Sequence, residues 1–169
     1  MRRLFNKVKD YIRYDIPRGI ENLINWFPVI WKNRDWDHYF IYVILRHKLH
    51  LTEQHIRNHD MHTRAKEDAD RIKVCVNLLD RLIADDYHEM AYKKIDEKWG
   101  ELELTSTPCE DRDGYHEVHI NRPKVKTPED KKQERKEFKS AYEHEQYLRN
   151  QDKNMLFKMM SKYIEGWWD

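Results

Sequence analysis

The stretch RIKVCVNLLDRLI, residues 71–83, decides the reading of the fold. Ile72, Cys75, Val76, Leu79, Leu82 and Ile83 recur at steps of three and four, so on an α-helix they share one face. No proline or glycine interrupts the chain from Arg64 to Lys98, and Met90 extends the stripe. The spacing therefore predicts one long helix over that range. Just upstream, NHDMHT (58–63) is a polar break. Before it, Trp36, Phe40, Val43, Ile44, His47 and Leu51 again step by three and four, which predicts a helix from Trp36 to about Asn58 with Asp35 as its N-cap. Two amphipathic helices joined by a short polar turn each need a partner for their apolar side, and together they make an antiparallel hairpin over residues 35–98.

Further out, Leu4, Phe5, Val8, Tyr11 and Ile12 mark a short amphipathic segment from Arg2 to Tyr14. Pro17 suits the first turn of another helix, where its missing N–H is not needed. That helix runs toward Trp31 and is expected to bend or restart near Pro28. On the other side the period changes to two. ELELTS (101–106) and YHEVHI (115–120) alternate around the turn-rich TPCEDRDG, which predicts a two-stranded β-hairpin. Thr127 then reads as an N-cap, with Pro128 at the first helical position and Glu129 and Asp130 in the first turn. A highly charged helix follows to about Asn150. A last helix carries Met155, Leu156, Met159, Met160, Tyr163 and Ile164 and ends in GWWD. The expected fold class is mainly α, a single domain over 1–169. Its parts are N-terminal aromatic helices (1–34), the central helical hairpin (35–98), a small β-hairpin (101–120) and C-terminal helices (127–169).

Composition narrows the function. Charged residues make up 37% and aromatics 12% of the 169 residues, while glycines number 4 and prolines 5. The aromatics supply a core that a polar chain otherwise lacks, and the shortage of turn residues favours helices. A net charge of +1 argues against indiscriminate nucleic-acid binding. Cys75 and Cys109 form no pattern, which suits a reduced, intracellular setting. The basic N-terminus lacks the apolar run of a secretory signal. No run of eighteen apolar residues is present, so no membrane partner is expected.

The segment WFPVIWKNRDWDHYFIYVILRHKL (26–49), with its RDWD motif, and the terminal GWWD resemble a group of small helical proteins encoded by tailed phages. The resemblance covers most of the chain loosely and its two ends most closely. It brings no catalytic residues and no cofactor. What it implies is a setting, namely an accessory protein working in the cytoplasm of a bacterial host.

Two constellations invite a catalytic reading. His55, His59 and His62, spaced four and three, could present imidazoles on one helical face to a metal, and His59–Asp60 resembles the dyad of HD-type phosphohydrolases. Solvated histidines at a helix-to-helix turn explain the same pattern. Glu67 with Asp70, and Asp86 with Glu89, form acidic pairs like those by which MazG-type all-α pyrophosphatases hold Mg²⁺. An exposed acidic face opposite the Ile72–Leu79–Ile83 stripe is the simpler explanation. No serine elbow, activated cysteine or glycine-rich phosphate loop is present.

NWFPVIWKNRDWDHYF (25–40) places Trp26, Phe27, Trp31, Trp36, Tyr39 and Phe40 within one turn region. These rings are expected to converge as a core corner that also packs Trp99 or the terminal Trp167–Trp168. The alternative leaves some of them open, and then Trp31, Lys32, Arg34 and Trp36 form a binding site for a host protein or a small nucleotide. The function expected on balance is a non-enzymatic binding protein that inhibits a bacterial defence component. A metal-dependent nucleotide hydrolase and a virion or assembly component are the alternatives. Uncovered apolar stripes would also pair two copies as a homodimer.

Overall fold

The structure, a computed structural model, describes residues 7, 9–32, 37–59 and 62–167. It is mainly α with one β-hairpin, as the periodicities require. The chain forms two compact units, 1–83 with 162–169 and 84–161.

In the first unit, α1 spans Ile16–Lys32, α2 His38–His59 and α3 Ala65–Ala84. A π-helical turn, Tyr11–Asp15, leads into α1, and the Ile16 N–H bonds to the Tyr11 carbonyl five residues back. Widening the helix there accommodates Pro17, whose ring would otherwise crowd the preceding turn. α1 continues through Pro28 and does not restart there. The proline ring lies on the open side, where the Ile24 carbonyl that loses its N–H partner can be hydrated.

The α2/α3 hairpin is present. Arg46 pairs with Asp80 at 2.8 Å and Arg57 with Asp70 at 2.9 Å. Eleven residues forward on α2 match ten backward on α3, which is the signature of antiparallel pairing. Leu49, Glu53 and Ile56 of α2 are buried, as are Ile72, Cys75, Val76, Leu79 and Leu82 of α3. Glu53 is tolerated inside because Arg57 bonds to it from one turn away.

The predicted helix from Arg64 to Lys98 is in fact two. Asp85 adopts φ 55°, and α4 restarts at Tyr87 and runs to Trp99. Two adjacent aspartates favour such a turn, because a short acceptor side chain tolerates the left-handed conformation. Arg149 holds Asp85 there through bonds of 2.7 and 3.1 Å. Met90, expected on the stripe, is exposed on α4.

The second unit is itself an antiparallel helical pair, α4 against α5 (Pro128–Tyr163). Lys98 and Trp99 meet Glu137, His88 meets Glu145, and the Tyr87 hydroxyl donates to Asp152 at 2.7 Å. Tyr92, Ile95, Trp99 and Ala141 form its apolar centre. Trp99 thus packs here rather than under an aromatic corner. Thr127 caps α5 as expected: its Oγ1 accepts from the Asp130 N–H at 3.1 Å, and the Asp130 carboxylate accepts from the Thr127 N–H at 2.9 Å. The expected break near Asn150 is absent. Residues 150–154 are polar but include no glycine or proline, so α5 continues through them, and Asp152 finds its partner in Tyr87.

Strands β1 (Glu103–Pro108) and β2 (His116–Asn121) pair antiparallel with Leu104 opposite Ile120, shifted one or two residues from the expected bounds. Arg122, its side chain 4% exposed, fastens the hairpin's exit by bonding Asp96, the Gly100 carbonyl and Glu134. Gly100 has φ 86°, and a Cβ there would stand 2.6 Å from the Pro123 ring, so only glycine lets the chain pass.

Candidate functional site

Helix α1 carries an open apolar face. Ile16, Ile20, Leu23, Ile24, Phe27, Ile30 and Trp31 are all exposed, Leu23 by 71% and Trp31 by 63%. Ile20, Ile24, Phe27 and Trp31 step by four, three and four, which places them in one seam. Ile16, Leu23 and Ile30 widen that seam on one side. Phe27 and Trp31 stack with ring centroids 5.3 Å apart. The opposite flank of α1 is the one that packs. Trp26 meets the His47 ring of α2 edge-on at 5.0 Å, and His47 Nε2 lies 2.9 Å from the Asn25 carbonyl.

This arrangement corrects the expectation of a closed aromatic core. Trp26 and Phe40 are half-buried, but Phe27, Ile30 and Trp31 face away from α2. Of the four residues expected to bind, Trp31 and Lys32 are exposed at the end of α1. Arg34 and Trp36 lie outside the described residues, as do Asp35 and Trp168. Trp167 is buried. Ile20, Leu23 and Ile24 also belong to this surface and were not among the expected binding residues; their spacing with Phe27 and Trp31 is the signal that marks them.

Of the three histidines His55 and His59 pair on α2, whereas His62 is engaged elsewhere. The rings of His55 and His59 lie 4.4 Å apart, and His59 Nδ1 is engaged by the His55 carbonyl at 2.8 Å. His62 Nδ1 accepts from the Arg64 N–H at 3.2 Å. Asp60 of the expected dyad lies outside the described residues. No group of three potential metal ligands is found among the described residues. The acidic pairs fall on two different helices. Glu67 and Asp70 belong to α3, where Arg71 and Arg57 neutralise them, whereas Glu89 lies on α4 with Asp86 just before it.

A shallow cavity of about 330 Å³ lies beside the start of α3, lined by His62, Arg64, Lys162 and Tyr163 among others. Lys162, bonded to the Tyr163 phenol, lowers its pKa, and Arg71 and Arg64 add to the effect. Asp68 binds Arg71 at 2.6 Å, so part of this positive charge is already neutralised.

Among the described residues, no helix is long and apolar enough to cross a membrane. No known protein family, curated protein or solved structure matches this chain.

Proposed function

We propose that this chain is a non-enzymatic binding protein that covers a surface of a host protein with the open face of α1. The observation that supports this reading is the continuous apolar seam from Ile16 to Trp31, exposed along its whole length. A monomer rarely leaves so large an apolar patch open without using it. A convex helical stripe fits the groove or flat face of a macromolecule, because a small ligand needs walls around it. In a phage setting the covered surface belongs to a bacterial defence component, and the chain acts in the host cytoplasm.

Trp31 is the sharpest test, since its exposure separates binding from folding. Trp31→Ala should leave the melting temperature unchanged and weaken capture of the host protein by about thirtyfold, the effect of losing a ~2 kcal/mol anchor. Capture from bacterial lysate should likewise fail for Leu23→Asp. If the two variants and the wild type retain the same proteins equally, the face is not the binding surface. Magnesium-dependent nucleotide turnover by the purified chain would overturn the non-enzymatic reading altogether.

One observation favours a second reading, in which a nucleotide signal is sequestered. The cavity beside Arg64 and Lys162 presents cations next to an aromatic ring, the groups that hold phosphate and base. A nucleotide whose affinity collapses in Lys162→Ala but not in Trp31→Ala would establish it.

A further inference from the structure

We propose that the open face of α1 pairs with the same face of a second copy, antiparallel about a two-fold axis, and that a host protein must displace this partner. The inference rests on the reading of that face as the binding surface and names what covers it beforehand. The side chains from Ile16 to Trp31 each leave roughly 100 Å² open, so the face offers on the order of 700 Å² per copy, close to the ~800 Å² that each partner gives to a standard interface.

The four-three-four spacing suits another helix bearing the same spacing. In the antiparallel arrangement, Ile20 faces Trp31 of the second copy and Ile24 faces Phe27. Each contact occurs twice because the interface is isologous. Charge selects the direction. Glu21 and Lys32 lie three turns apart on one flank of the seam, near its two ends. An antiparallel partner turns the same flank toward its mate and brings Lys32 beside Glu21 at both ends, whereas a parallel one leaves the Glu21 and Lys32 of the two copies on opposite edges of the seam, unpaired. The balance also argues against a lipid surface. The helical run from Lys9 to Lys32 carries Lys9, Arg13, Arg18 and Lys32 against Asp10, Asp15 and Glu21, whereas a helix that lies on anionic lipid lines its polar face with lysine and arginine.

Sedimentation equilibrium of the full chain at micromolar concentrations tests this without any host protein. The expected mass is twice the 21.0 kDa of one chain. Ile24→Asp should be monomeric with an unchanged circular dichroism spectrum. Glu21→Lys and Lys32→Glu should each raise the dissociation constant by about tenfold, since each breaks two flanking pairs at once. The double reversal should restore it. A monomer at every concentration overturns the proposal, yet leaves the capture experiment free to succeed. A dimer that the double reversal does not restore overturns the antiparallel register. Binding of the monomer to phosphatidylserine vesicles, strengthened by Glu21→Lys, would assign the face to lipid instead.

Discussion

Leu79 is fully enclosed at the centre of the α3 stripe, so Leu79→Ala should cost about 2–5 kcal/mol in chemical denaturation, the range for a cavity that the surroundings fill only in part. A loss below ~0.5 kcal/mol would mean that the site collapses without penalty. Glu137 sets a different dependence. Its carboxylate accepts from Lys98 at 2.6 Å, and from Gln133 and the Trp99 indole at 2.7 Å. Lys98 above all, with Gln133 and Trp99, holds its pKa near 2, down from 4.5. A carboxyl lowered by folding stabilises the native state above its unfolded pKa. That contribution is lost as the pH falls from 4.5 toward 2. The melting temperature of the wild type should therefore fall more steeply over that window than that of Glu137→Gln; parallel curves would show that the three donors act independently of charge. Neither Glu137's bonds to Lys98 and Trp99 nor Arg122's to Asp96 was legible in the sequence. They span 39, 38 and 26 residues, distances at which charge spacing carries no signal.

At the level of elements, local chemistry was read well and long-range continuity poorly. The cap of α5 is a case of the first. Thr127→Ala should destabilise the protein by about 1 kcal/mol, because it removes the acceptor for the Asp130 N–H and one half of a reciprocal pair. An unchanged denaturation midpoint would mean that water replaces the hydroxyl at no cost. The α3 stripe and the alternation of the β-hairpin were legible for the same reason: each is fixed by neighbours a few residues apart. The break at Asp85 was not, since periodicity runs through it and only the left-handed residue and Arg149 end the helix. Nor was the unbroken passage of α5 through residues 150–154. Propensity there is a weak prior that one buried pair, Tyr87 with Asp152, overrides. The α1 face carries the broader lesson. Spacing says that a face is apolar, but not what covers it.

Across the whole molecule, stability is graded. One face of helix α3 is buried along its length, while Leu104, Val118 and Ile120 of the β-hairpin are all more than half exposed. Amides from Ile72 to Leu79 should exchange with deuterium ~10³-fold or more slowly than those of β1 and β2, because opening the core costs most of the folding free energy and opening a two-stranded hairpin little. Equal protection would show that the hairpin is held by contacts beyond its own strands. The two thiols sit at opposite ends of this gradient. Cys75 is sealed in α3, and burial pushes its pKa up to about 11, while Cys109, partly open, follows β1. At neutral pH a thiol reagent should therefore modify Cys109 first and reach Cys75 only when α3 opens. The slow label is then a clock on the opening of one unit, readable by mass spectrometry in a crude mixture, and it should run faster in Leu79→Ala. Simultaneous labelling of both thiols would stop the clock.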